Sequence, residues 1–191
     1  MSWEDKVRKI VPYTAGEQPK DRSIIKLNTN ECPYPPAPGV KKAIEELSQR
    51  SDDLRLYPDM DATALVDALA SFYGIDSEKI FVGIGSDDVL ALCFLTFFTS
   101  GAPILFPEIT YSFYPVWADL FGIRYKKIPL TAEMKIDPFE YMPELTRNKN
   151  GGIIFPNPNA PTGYCEPLSK VERIVKANPE SVVIVDEAYI D

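Results

Sequence analysis

Apolar residues recur along this chain with two alternating periods. Val40, Ala43, Ile44 and Leu47 fall at i, i+3, i+4 and i+7, which predicts a helix. Ala64, Leu65, Ala68, Leu69 and Phe72 predict a second, with Asp61 as its N-cap and Gly74 as its stop. The pattern then shortens: KIFVGIGSDDVLALCFLTFFTSG predicts a strand over 80–82, a glycine turn over 83–86 and an apolar helix over 87–99. Ile104, Leu105 and Phe106 form a short strand ended by Pro107. Tyr114, Val116, Trp117, Leu120 and Phe121 give a helix that stops at Gly122, and IRYKKIPL reads as the next strand. Asp137-Pro138 places an N-cap before a proline at the first helical position, opening a helix through about residue 147. A strand over 152–155, a helix face of Leu168, Val171, Ile174 and Val175, and a closing β-branched run, Val182 to Val185, complete the series.

Strand–helix alternation of this regularity predicts an α/β fold, a mostly parallel sheet with helices on both faces and right-handed crossovers. The unbroken closing run predicts a strand buried on both faces. Residues 1–39 stand apart, because Pro33, Pro35, Pro36 and Pro38 forbid regular structure and predict an extended N-terminal arm. Such an arm packs across its own domain or across a partner subunit, and the sequence leaves both open. Residues 40–191 then form the domain proper.

Composition narrows the chemistry. The chain has 191 residues, 45% hydrophobic and 25% charged, with a net charge of −8. With no basic cluster, neither nucleic acid nor an anionic membrane is an expected partner. The start, MSWEDKVRKIVPY, has no apolar signal core, and no stretch reaches transmembrane length, so a cytoplasmic protein is expected. Cys32, Cys93 and Cys165 are far apart and in no metal spacing, and read as reduced thiols. Histidine is absent, which removes imidazole bases, Ser-His-Asp hydrolases and most zinc sites.

Ligands of open α/β sheets sit outside the carboxyl ends of the strands, and the candidate residues fall there. Asp186 and Glu187 follow the closing strand, with Tyr189 three residues after Asp186. An aspartate partly withdrawn from water needs a cationic partner to stay ionised. The protonated ring nitrogen of pyridoxal phosphate is one that fits. Capping of a following helix is the other use of such a residue. At Gly83-Ile84-Gly85-Ser86-Asp87, amides of Gly85, Ser86 and Asp87 plus the Ser86 hydroxyl suit a phosphate monoester, although a tight turn and cap explain the same residues. Asp88 stands where a dinucleotide fingerprint needs glycine, and an ATP loop would need Lys-Ser/Thr. The Asp87 carboxylate would repel a phosphate unless turned away. Tyr111 either stacks on a flat ring or packs in the core beside Tyr114 and Trp117. In PNPNAPTG, Asn157 and Asn159 offer amides in a proline-fixed loop, a composition that a plain turn also explains.

The order GSDD, TYSFY, PNPNAPTG and VDEAYID resembles the fold-type-I pyridoxal phosphate aminotransferases over nearly the whole chain. VPYTAGEQ, LNTNECPYPP and LRLYPD narrow the likeness to the histidinol-phosphate aminotransferase subfamily. The resemblance implies that Gly85, Ser86 and Asp87 bind the phosphate of pyridoxal 5'-phosphate, and that Tyr111 stacks on its ring. It implies that Asp186 keeps the ring nitrogen protonated and that Tyr189 bonds the phenolic oxygen. Tyr57 would reach the phosphate of a neighbouring subunit in a homodimer, and Tyr13 and Asn30 would lie near the amino substrate. The implied reaction passes an amino group between histidinol phosphate and 2-oxoglutarate.

Two departures stand out. Ala160 occupies the place of the family asparagine before Pro-Thr-Gly, so either Asn159, the favoured one, or Asn157 takes over its bond, or that bond is missing. The lysine that would carry the cofactor, and the small C-terminal domain, would lie beyond Asp191. A chain of this length is therefore expected to hold the cofactor weakly and not to transaminate. An aromatic-amino-acid aminotransferase or a threonine-phosphate decarboxylase would share most of these motifs. A nucleotide hydrolase is the rival suggested by VVIVDE, but it lacks its phosphate loop. A non-catalytic α/β binding fragment is the third reading.

Overall fold

In the computed structural model of the chain, residues 2–21, 23–143 and 149–190 are described. They divide into two units, Met1–Tyr13 with Gly83–Asp191, and Thr14–Val82.

The Thr14–Val82 unit carries two helices. Helix α1, Pro38–Gln49, begins on a proline whose fixed φ suits the first helical position. Its stripe of Val40, Ile44 and Leu47 faces solvent, and none of the described residues of this unit is buried. Helix α2, Thr63–Tyr73, ends at Gly74, as its sequence predicts. Its cap differs from the expected Asp61. The Asp59 carboxylate accepts the Thr63 N–H at 2.7 Å and the Asp61 N–H at 3.1 Å, because Ala62 in the left-handed region turns the chain back toward it. The expected strand over 80–82 is extended but has no ladder partner among the described residues, and Phe81 is 68% exposed.

The other unit is built on a four-stranded parallel sheet in the order β2-β1-β3-β4, with β1 Ile104–Pro107, β2 Tyr125–Ile128, β3 Ile153–Pro156 and β4 Val183–Asp186. Successive side chains alternate between its faces. Ile104, Phe106 and Ile154 point toward α3, Gly85–Phe97, and α4, Phe113–Phe121, where Phe94, Tyr114 and Trp117 close one core. Leu105, Ile153 and Phe155 point the other way, onto Tyr141 and the Ile174 face of α5, Leu168–Ala177. Helices thus cover both faces. The closing run is half-buried rather than fully buried, since β4 lies at the edge of the sheet.

Asp137 caps through its carboxylate, 3.0 Å from the Phe139 amide, but only a 3-10 turn, Pro138–Tyr141, follows. Met142 is extended, as the residue before Pro143 favours, and the rest of the expected helix, 144–148, lies outside the described residues. The first residues of the arm pack across their own unit: Arg8 donates to the Leu120 carbonyl, and Tyr13 stacks on Phe113 at 4.5 Å. Among the described residues, no helix is long and apolar enough to cross a membrane.

Strand order positions the site. The chain adds β2 on one side of β1, then returns to place β3 on the other. The crevice between the carboxyl ends of β1 and β3 is therefore a topological switch point, where α/β sheets bind ligands.

Candidate active site at the carboxyl edge of the sheet

The turn before α3 is closed by two short bonds, Gly85 N–H to the Gly83 carbonyl at 3.0 Å and Ile84 N–H to the Asp88 carboxylate at 3.1 Å. Gly85 has φ +79°, a left-handed conformation that admits glycine without strain. The helix begins there, two residues before the expected Asp87. Its first amides, including those of Ser86 and Asp87, have no intrahelical acceptor and carry the positive end of the helix dipole.

The loop after β1 carries Tyr111 to the same edge. Its hydroxyl donates to Asp87 Oδ1 at 2.9 Å, so the carboxylate that would repel an anion is turned onto a phenol. Tyr111 is half-buried, with Trp117 at 6.3 Å and Phe113 at 5.6 Å between ring centroids. Burial, and then the Asp87 carboxylate, push its phenol well above the ordinary tyrosine range.

At the end of β4, Asp186 holds two neutral donors. Oδ2 accepts the Tyr114 hydroxyl at 2.7 Å and Oδ1 accepts the Ala188 N–H at 3.2 Å. The second bond is the local cap that the sequence left open; the first reaches across to α4. Among the described residues, no lysine or arginine forms an ion pair with Asp186. Burial and the Asp186 charge raise the Tyr114 phenol far above its usual range. Tyr141, buried in the other core, is raised by burial as well.

Ser86, Tyr111, Ala160, Asp186 and Tyr189 line one small cleft of about 50 Å³. Larger hollows exist, such as one of about 300 Å³ at the amino ends of β1 and β2, lined by Phe98, Ala102 and Arg124. The guanidinium there is spent on the Gly101 carbonyl, so volume is a poorer guide than position at the switch point.

Other sequence candidates stand elsewhere. Asn159 is buried beside the cleft-lining Ala160, its amide donating to the Ile109 carbonyl at 3.0 Å and to Thr162 Oγ1 at 3.2 Å, with its own oxygen buried and unpaired. Asn157 exchanges two bonds with the Glu166 backbone, at 2.7 and 3.2 Å. Tyr13 stands beside Phe113 at the aromatic wall. Asn30, with φ 51°, and Tyr57, 97% exposed, belong to the Thr14–Val82 unit.

Two residues escaped the sequence reading. Tyr114 reads from its spacing as core. Glu166 carries no motif; its one signal is Lys170 four residues on, whose ammonium lies 2.9 Å from Oε2. That oxygen counts as paired by charge rather than by a directed hydrogen bond.

The buried tyrosines carry a pH dependence. Their folded values lie above the ordinary value of 10.0, so the unfolded chain releases these protons first. Stability is therefore fully retained below pH 10 and falls as pH rises above it. Tyr114 and Tyr141 should each contribute a slope of up to about 1.4 kcal/mol per pH unit there. Urea midpoints between pH 8 and 12 check this, and a flat profile would contradict it.

The sheet brings an acid, an aromatic ring and a helix N-terminus together at its switch point, and the chain belongs to the class I and II aminotransferases, whose family model residues 22–191 match. Within that class, it is 53% identical over 189 residues to histidinol-phosphate aminotransferase 1 of Hydrogenovibrio crunogenus, covering 99% of this chain and 51% of the relative. The histidinol-phosphate aminotransferase of Acinetobacter baumannii is 50% identical over 190 residues, with the same coverage. Among solved structures, the histidinol-phosphate aminotransferase of Sinorhizobium meliloti in complex with pyridoxal-5'-phosphate superimposes with a TM-score of 0.76 at 27% identity, over 85% of this chain and 43% of that one. The chain spans about half the length of the curated relatives it matches.

Proposed function

We propose that this chain supplies the cofactor-binding part of a histidinol-phosphate aminotransferase, an enzyme of histidine biosynthesis, and that its cleft holds pyridoxal 5'-phosphate. The observation that carries the reading is the convergence of Ser86, Tyr111 and Asp186 on one cleft at the switch point. Asp186 fits the cofactor because it is a half-buried carboxylate met only by neutral donors, which a protonated ring nitrogen would complete. The amides of Ser86 and Asp87 and the Ser86 hydroxyl receive the phosphate, with the α3 dipole supplying positive potential, while Gly85, its amide held by the Gly83 carbonyl, shapes the turn around it. Tyr111 offers its ring face, and Tyr189, which also lines the cleft, offers a hydroxyl. Asn159 serves through the loop, holding the Ile109 carbonyl and hence the segment leading to Tyr111.

When bound, the cofactor supplies an electron sink for the carbanion formed at the amino-bearing carbon. The protein's part is to keep the ring nitrogen charged through Asp186 and the phosphate fixed at α3. At about 50 Å³ the cleft is smaller than the 300 Å³ or more of a typical complete ligand pocket. For the whole enzyme, the proposal includes a cytoplasmic homodimer acting on histidinol phosphate and 2-oxoglutarate. In it, Tyr57 reaches the partner's cofactor phosphate, and Tyr13 and Asn30 lie near the amino substrate.

Pyridoxine 5'-phosphate tests the site without reacting with surface lysines. Its titration should quench the emission of Trp117, which lies 6.3 Å from Tyr111, saturably and with competition by inorganic phosphate. Absence of saturable binding at millimolar ligand would overturn the proposal. Relative rates of a gene-length enzyme on histidinol phosphate, phenylalanine and threonine phosphate would test the substrate.

A further inference from the structure

We propose that Tyr114 is a positioning residue for Asp186, fixing the carboxylate in the orientation that a protonated ring nitrogen needs. This rests on the pyridoxal phosphate reading and extends it to a residue outside the cleft lining. Tyr114 is completely buried on the first turn of α4. Its ring is wedged among Phe94, Phe106 and Tyr111, with centroids 5.8 to 6.2 Å away, so it has little freedom to swing. The one polar atom on that ring is spent on Asp186, 72 positions along the chain, in a 2.7 Å bond.

The pattern of donors matters. A hydroxyl on Oδ2 and an amide on Oδ1 hold both carboxylate oxygens, yet each oxygen keeps a lone pair free. Neutral donors orient the acid without cancelling its charge, which a lysine or arginine would do. The other titratable groups nearby do not compete for it. Tyr111, set edge-on to Tyr114 at 5.8 Å, gives its hydroxyl to Asp87, while Tyr13 stacks on Phe113. One segment thus provides two services three residues apart: Tyr111 presents a ring to the ligand, and Tyr114 braces the acid behind it.

Tyr114→Phe removes only the hydroxyl and leaves the packed ring. The test measures the affinity of the chain and of this variant for pyridoxine 5'-phosphate and for its 1-deaza analogue, in which carbon replaces the ring nitrogen. A brace acting through Asp186 predicts that the variant binds the pyridine ligand roughly tenfold more weakly, the scale of a hydrogen bond to a charged group. The 1-deaza analogue should change less than about twofold, since the two perturbations act on one contact. Equal losses for both ligands, or no loss for either, would overturn the role of Tyr114 while leaving the binding site standing. Failure of the unaltered chain to bind the pyridine ligand would overturn the cofactor reading and this inference together. Should the variant not fold, the hydroxyl proton of Tyr114 is followed by NMR in the unaltered chain. Addition of the pyridine ligand should shift it and the 1-deaza ligand should not; identical responses would overturn the inference.

Discussion

Alanine at Gly152 is expected to destabilise the sheet unit by about 3–5 kcal/mol, from backbone strain and overpacking acting together. Gly152 leads into β3 with φ +140°, a conformation that side-chain-bearing residues rarely adopt. A Cβ built there would lie 2.3 and 2.4 Å from two carbons of the Phe98 ring, and 3.3 Å from the Val182 carbonyl. Phe98 cannot step aside, because it is buried and packed edge-on against Phe94 at 5.0 Å. The backbone cannot relax either: the Gly152 carbonyl accepts from Leu105 at 2.9 Å, and its amide donates to Asn150 at 3.1 Å. Since domains are held by about 5–15 kcal/mol, such a loss would leave the variant near its folding limit. Urea denaturation gives the measurement, and a loss below about 1 kcal/mol would show that the close approach relaxes at little cost.

The same glycine bears on the cleft. β3 pairs with β1 on one side and β4 on the other, and it delivers Pro156 and Asn157 to the switch point. A register error at its first residue would separate the ends of β1 and β4, which carry Tyr111 and Asp186. The shape of the cleft is therefore a readout of the register of one short strand.

The parts of this architecture that local chemistry dictates were legible in the sequence. Alternating periods gave the parallel sheet and its two helical layers, and Gly74 and Gly122 marked helix ends in the left-handed conformation. Ser86, Tyr111, Asp186 and Tyr189 were readable because strand ends in such sheets carry ligands, and these residues do line one cleft. Most of what escaped depends on strand pairing or on contacts distant in sequence. The run at 80–82 has strand composition but no partner, and β4 has core composition but sits at an edge. Asp59 displaced Asp61 as a cap through a left-handed Ala62, a conformation no propensity predicts. Tyr114 looked like packing because its ring is packing. Its function lies in one hydroxyl aimed at a residue 72 positions away.

Glu166 is the clearest case of that kind, and alanine in its place is expected to lower stability by about 3 kcal/mol. The residue is buried, and its Oε1 accepts the Ile136 N–H at 2.8 Å while Lys170 balances its charge at 2.9 Å. Its backbone, meanwhile, exchanges two hydrogen bonds with the Asn157 side chain. One residue thus pins the segment after β2 to the loop after β3. Alanine would leave the Ile136 amide buried without an acceptor, whereas the half-exposed Lys170 ammonium could return to water. Glutamine would keep the acceptor and lose only the charge, so Glu166→Gln should cost less than half as much as Glu166→Ala. At about 2–4 °C per kcal/mol for a chain of this size, the two should separate by several degrees in thermal midpoint. The looser loop should also be felt in the cleft, because the wall at Ala160 and the Asn159 bond to Ile109 belong to it. Pyridoxine 5'-phosphate affinity should therefore fall with Glu166→Ala and hold with Glu166→Gln. Equal stability of the two variants would mean that the carboxylate oxygen at Ile136 carries little of the load.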